Sequence, residues 1–387
     1  MDLQPLELSR EEFPKTWTTL QQGLADGVAP GFAAGFWSAA DAGRYRRMVV
    51  GNRRLLPSVQ PLLIDTPFDL ASVAKVFATA SLASALVEHG KLNWETPVAE
   101  LLPGYADPEI RIRHLLSHTS GLVWWVPLWE QLRDHFAPRV LCDVAISERE
   151  AETRRRVLAI PRDRAIGEAA VYSDVGFWLL GYALEAAAGL PYAQAVEKWV
   201  WRPMGVRRAY YAPVDRDVQA GRVDTVAATE DSAWRGGILQ GQVHDDNAWA
   251  MGGTAAHAGV FADIDDVMRL SASWLESFVS ERVRAESWAE VHPPRESTRT
   301  LGWDLPSGDA PSLGRYFSRR SVGHLGFTGT SLWLDPEARM GVALLSNRVH
   351  PSRDNIAIRV FRGKFHDALA EDLQAIAKYG LPSGPHR

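Results

Sequence analysis

The sequence is poor in cysteine and in lysine, and it carries no strong excess of either charge. Cys142 is the single cysteine among 387 residues, which excludes an internal disulfide and any zinc or iron–sulfur site built on several thiolates. A net charge of −5 gives no electrostatic attraction toward nucleic acid or an anionic membrane. Short basic runs such as Arg154-Arg155-Arg156 are flanked by acids and read as a solvated helix face. The N-terminus has no basic start leading into an apolar core of about 7–15 residues, and no unbroken run of about 18 apolar residues occurs along the chain. These absences predict a cytoplasmic protein with no membrane span, or a periplasmic one if a leader precedes this chain. Gly-x-Ser-x-Gly, His-Glu-x-x-His and a Walker loop are all missing, so the nucleophile elbow, zinc-peptidase and nucleotide chemistries have no motif to rest on. Neither a cofactor nor a metal is expected.

What is present is an ordinary globular composition, 46% hydrophobic and 23% charged, which excludes disorder. Phe13, Trp17, Leu20 and Leu24 recur at spacings of four, three and four and predict an amphipathic helix. Strands are predicted at Gly31–Trp37 and Arg47–Val50, and a long helix from Ser72 to His89 stopped by Gly90. Residues 91–290 read as mostly helical. Near the end, Thr330–Leu334 and Gly341–Leu345 flank the turn residues Asp335-Pro336-Glu337 and predict a hairpin. A last helix carries Phe365, Leu369, Leu373 and Ile376 on one face. The predicted fold is therefore α+β: an antiparallel sheet flanked by helices and assembled from both ends of the chain (1–90 and 291–387), with a mostly helical insertion (91–290). A cleft between the two parts is the expected site.

Within that frame, Ser72-Val73-Ala74-Lys75 draws attention. Residues three apart on a helix share a face, so the hydroxyl and the amine can come within hydrogen-bond reach. Lysine can surrender its proton when desolvated, whereas arginine effectively never does. The chain holds only six lysines, and only Lys75 has a serine three residues before it. Ala71, Val73, Ala74, Val76, Phe77 and Ala78 surround the pair with apolar side chains. Ser-x-x-Lys alone is a common accident of helix surfaces.

The stretch from Phe68 to Lys75 resembles the nucleophile segment of the serine β-lactamase-related, penicillin-binding-protein-like superfamily, which includes class C β-lactamases, D-alanyl-D-alanine peptidases and esterases. Ile112-Arg113-His114-Leu115-Leu116-Ser117-His118-Thr119-Ser120-Gly121-Leu122 is similar to a second segment of that family. Tyr172-Ser173-Asp174 is similar to its Tyr-x-Asn, with Asp174 in place of the usual asparagine. His324-Leu325-Gly326 resembles its Lys/His-Thr-Gly strand, with Leu325 in place of the hydroxyl residue. His257-Ala258-Gly259 fits the same short pattern, but strand context and position favour His324.

The resemblance implies a covalent acyl-Ser72 intermediate, with Lys75 and Tyr172 moving the hydroxyl proton. It also implies an oxyanion hole of the Ser72 and Phe327 backbone N–H groups, with His324, Gly326 and Asp174 contacting substrate. His324 would serve as a cation or a hydrogen-bond donor, and Gly326 would let a substrate backbone approach closely. The partner expected is a small-molecule or peptide substrate: an amide or ester of the cell-wall-peptide or small-ester kind. The alternatives are a dedicated class C-like β-lactamase and a non-catalytic penicillin-binding sensor. Asp245, Asp246 and Asn247 read equally as cleft lining or as a helix cap. A metal site at His244 and Asp245 lacks a third ligand. Trp124, Trp125 and Trp129 read as packing of the helical part or as an aromatic wall.

Overall fold

The computed structural model describes residues 3–212, 225–294, 297–308 and 310–379. Its main sheet has seven strands: β1 (Gln4–Glu7), β2 (Gly31–Ser38), β3 (Arg44–Arg54), β4 (Gln60–Pro61), β5 (Val322–Leu325), β6 (Ser331–Asp335) and β7 (Met340–Ser346). Their order is β1-β3-β2-β7-β6-β5, with β4 beside β3. The two chain ends meet at the β2–β7 pair, antiparallel with Ala34 opposite Leu344. The fold class is α+β, with helices on both faces of the sheet. One correction concerns strand direction. β1 runs parallel to β3, so the sheet is mixed rather than wholly antiparallel. Gln4–Glu7 is an exposed edge carrying Pro5, and such a strand lacks the alternation that marks a half-buried one.

β2 reads Gly-Phe-Ala-Ala-Gly-Phe-Trp, a continuous apolar run, because both its faces are covered. Phe32, Ala34 and Phe36 join Phe13, Leu20, Phe361, Phe365 and Leu369 in one core. Phe13 is the N-cap of α1 (Pro14–Ala25), Leu20 lies within it, and the other three belong to the C-terminal helix Ile358–Tyr379. Ala33 and Trp37 point the other way, toward Ile264, Val267 and Met268, on the helix Ile264–Glu276. That helix, counted with the helical insertion on sequence grounds, packs on the sheet. It lies so close that a Cβ on Gly35 or Gly341 would meet Met268 Cγ at 3.1 Å or Ser271 Cβ at 2.7 Å. Asp335 Oδ1 takes the N–H groups of Glu337 and Ala338, both at 3.0 Å, and this closes the predicted β6–β7 hairpin.

The segment after β4 supplies the buried axis of the second, largely helical core. It opens with a 3₁₀ turn Ala71–Val73, widens to π-type geometry over Lys75–Ala80, and continues as an α-helix over Ser81–Glu88. Ala71–Glu88 is long and apolar enough to cross a bilayer, yet 89% of it is buried inside the protein. It is the core element against which Leu115, Phe177, Trp178 and Leu180 pack.

Candidate active site

Ser72 sits on a turn held from three sides. Asp69, on a short strand paired with Val260–Ala262, accepts the Ala71 N–H at 2.8 Å and the His244 N–H at 2.7 Å. These bonds hold Ala71 at φ +46°, a left-handed conformation that costs an L-residue about 1–2 kcal/mol. Thr328 Oγ1 donates to the Asp69 carbonyl at 2.7 Å and Thr330 Oγ1 to that of Leu70 at 2.8 Å. The turn carbonyls therefore point into the β5–β6 connection. The Ser72 N–H lies in the first helical turn, where donors have no internal acceptor.

Lys75 is fully buried, and its three donors find three acceptors: Ser72 Oγ at 3.2 Å, Asp174 Oδ1 at 2.7 Å and the His257 carbonyl at 3.1 Å. The Tyr172 and Phe177 rings lie 4.8 and 5.3 Å from the ammonium. Burial alone would lower its pKa, but the Asp174 and Tyr172 oxygens outweigh it and hold the amine above the ordinary lysine value. The resting group is an ammonium paired with Asp174, not the free amine that desolvation by itself suggests.

Tyr172 and Asp174 arrive together on the loop that starts the helix Asp174–Ala188, where Ser173 is the N-cap. The His118 segment fixes this loop: Ser173 N–H donates to His118 Nδ1 at 3.0 Å, Val171 N–H to the His118 carbonyl at 2.9 Å, and Asp174 N–H to the Trp124 carbonyl at 3.0 Å. The His118 ring stands 4.7 Å from that of Tyr172. Burial, with Arg299 and Lys75 nearby, holds His118 far below the usual histidine range, so it is a neutral strut. The Tyr172 hydroxyl is buried without a hydrogen bond of ordinary geometry. Burial raises its pKa more than Lys75 lowers it, so it is a phenol at neutral pH. Arg299, which pairs with Asp304, caps the Tyr172 ring at 5.3 Å.

On the opposite wall, His324 places Nδ1 2.9 Å from the Leu325 carbonyl, which puts the proton there and leaves the buried Nε2 as an unpartnered acceptor. Burial and the charges of Lys75 and Arg299 keep the ring neutral. His324, expected as a cation or a hydrogen-bond donor, is a neutral group facing Tyr172, 5.9 Å between ring centres. Gly326, expected to admit a substrate backbone, is also packed tightly within the protein. Its close neighbour is the protein itself: a Cβ there would meet Thr330 Oγ1 at 2.0 Å and the Leu70 carbonyl oxygen at 2.6 Å. Gly326→Ala should therefore lower stability by about 1–3 kcal/mol and loosen the Ser72 turn. Urea unfolding measures this, and an alanine variant as stable as the wild type would show that the strand can retreat.

A hollow of about 170 Å³ opens above Ser72, walled by Trp125, Phe327, His257, Asp245 and Arg353. A larger one of about 740 Å³ near Tyr182 and Tyr192 has no lysine in its lining. Asp245 both lines the smaller hollow and caps Asp246–Ala250 by accepting the Ala248 N–H at 2.7 Å. It also meets His257 Nε2 at 2.9 Å, while His257 Nδ1 accepts from Trp178 Nε1 at 3.0 Å. Asn247 is structural, accepting the Trp129 N–H and donating to the Val126 carbonyl. Of the tryptophans, Trp129 stacks on Trp234, Trp125 lines the hollow and Trp124 is exposed. At the mouth, Arg353 and His244 bind Glu230, whose carboxyl falls to about 2 because these partners outweigh burial.

Sequence reasoning missed Asp69, Arg299 and the His257 carbonyl. His257-Ala258-Gly259 was visible as a second His-x-Gly, but its contribution is a backbone oxygen.

A family model described as Beta-lactamase matches residues 18–364. A relative from Escherichia coli (strain K12), provisionally named a D-alanyl-D-alanine carboxypeptidase, is 29% identical over 317 residues, 74% of this chain and 70% of that protein. Among solved structures, EstCE1, a hydrolase with promiscuous acyltransferase activity, superposes with a TM-score of 0.71 at 22% identity, covering 93% of this chain and 98% of the other. The octameric penicillin-binding protein homologue from Pyrococcus abyssi does so at 0.67 and 22%, covering 95% and 79%.

Proposed function

The chain belongs to the beta-lactamase family and is a serine hydrolase, and we propose that it cleaves a small ester or short peptide amide through an acyl-Ser72 intermediate. The observation that carries this reading is the buried Lys75 ammonium, bridging Asp174 Oδ1 and the Oγ of Ser72, the residue of the three that lines the hollow.

Those contacts support the following proton path, with the role of Tyr172 taken from the family resemblance. As Ser72 Oγ attacks the substrate carbonyl, its proton passes to Lys75, which in the same motion passes one to Asp174. The developing oxyanion is met by the Ser72 and Phe327 N–H groups. Tyr172, a neutral phenol, protonates the leaving group and is recharged from Lys75, which recovers its proton from Asp174. Water then attacks the acyl-enzyme along the reverse path.

The small volume above Ser72 is below the range of about 300–1,000 Å³ usual for drug-sized ligands, which supports a small acyl group. Leu325 in place of a hydroxyl residue points away from β-lactams, and the name of the Escherichia coli relative supports a peptide leaving group. The test compares p-nitrophenyl acetate, an N-acyl-D-Ala-D-Ala peptide and nitrocefin, each against Ser72→Ala. The expected order puts the ester or peptide well above nitrocefin in kcat/KM. Nitrocefin as the best of the three would make the protein a β-lactamase, and adducts that never turn over would make it a sensor.

A further inference from the structure

Behind the Phe327 wall lies a charged group that the proton path does not use. Arg362, on the C-terminal helix Ile358–Tyr379, is 5% exposed. One terminal nitrogen donates to the Gly326 and Thr330 carbonyls, both at 2.8 Å, and its Nε is buried without a partner. No carboxylate among the described residues acts on it: burial, with Arg348 and Arg359 nearby, lowers its pKa to about 10. A buried guanidinium that meets only carbonyls is a costly way to hold a strand, since a neutral amide could donate to the same oxygens.

The position of the Gly326 carbonyl supplies the reason. It belongs to the same planar peptide unit as the Phe327 N–H, and in a trans peptide the two dipoles point in opposite directions. Arg362 and, more weakly, the Gly329 N–H at 3.1 Å fix the oxygen inward, which turns the N–H outward, on the residue that walls the hollow beside Ser72. A cation on a carbonyl also polarises its peptide, making the N–H a stronger donor. Arg348 completes the clamp from the other side: its Nε donates to the Phe327 carbonyl at 2.7 Å and its guanidinium covers the Phe327 ring at 4.4 Å.

We propose that Arg362 is a positioning residue for the oxyanion hole, aiming and polarising the Phe327 N–H through the Gly326 carbonyl. The proposal rests on the acyl-Ser72 reading, and the experiment separates the two. Wild type, Arg362→Met and Arg362→Lys are assayed on p-nitrophenyl acetate and on its thiono analogue, whose sulfur fits poorly where an oxyanion is expected. Folding is checked by circular dichroism and melting. Arg362→Met should lose roughly tenfold to a hundredfold in kcat/KM on the oxo ester, less than the loss of a whole oxyanion donor. Its oxo-to-thiono preference should shrink toward that of hydroxide alone. Arg362→Lys, which keeps the cation, should fall between on both measures, and it carries the test if the methionine variant does not fold. An undiminished oxo rate, or equal losses on both esters that leave the preference unchanged, overturns the proposal alone. A wild-type rate that does not depend on Ser72 overturns the acyl-Ser72 reading and the proposal with it.

Discussion

Arginine at position 75 is expected to lower kcat/KM on the ester by roughly 10²–10⁴-fold, the range that general acid–base catalysis contributes, while the protein stays folded. Arginine keeps the positive charge and can keep the ion pair with Asp174, but it cannot give up a proton at neutral pH. The substitution therefore isolates proton transfer from charge. Overpacking in a site with no exposure should cost about 1–3 kcal/mol, visible as a lower melting temperature. Lys75→Met is the contrasting variant: it leaves the Asp174 carboxylate without its cation and should cost about 3 kcal/mol or more. The pair itself persists throughout the neutral range. Because Lys75 titrates above its ordinary value in the folded state, the stability it contributes is present below that value and lost only as pH rises through the raised one. An arginine variant that turns over ester at the wild-type rate would remove Lys75 from the proton path.

The second large effect concerns Asp174. In Asp174→Asn the amide cannot accept the proton that Lys75 must pass on, so acylation has to wait for Lys75 to be neutral beforehand. Removing the carboxylate leaves burial as the dominant influence on Lys75 and lowers its pKa relative to the wild type. The variant should lose about 100-fold at neutral pH and recover activity as pH rises and the amine gives up its proton. The wild type should vary far less with pH over the same interval. Stopped-flow acylation rates across this range decide the matter. A variant profile parallel to the wild-type one would make Asp174 a tether for Lys75 and nothing more.

Much of this arrangement was legible in the sequence because it rests on local spacing. Ser72 and Lys75 are one turn apart, Tyr172 and Asp174 flank a helix cap, and strand patterns at both ends announce the sheet. Other parts left no such mark. The carbonyl that holds Lys75 is a backbone atom of His257, and any residue type could supply it. Asp69 works through two main-chain N–H groups, one nearby at Ala71 and one distant in sequence at His244. Arg362 and Arg299 look like ordinary surface arginines until the fold buries the first and half-buries the second. The charge state of Lys75 was not legible either, because the oxygen that holds its proton sits 99 residues away on Asp174. The tight contact of Gly326 with the Leu70 carbonyl likewise left no mark in the sequence.

The acyl-Ser72 intermediate is tested most directly by intact-mass spectrometry of rapidly quenched mixtures with p-nitrophenyl acetate, followed by peptide mapping. The expected result is a single acetyl adduct on the peptide carrying Ser72, which rises and then decays as product appears and is absent from a folded Ser72→Ala variant. An adduct that survives Ser72→Ala, or steady hydrolysis by the wild type with no adduct at any time, would contradict it.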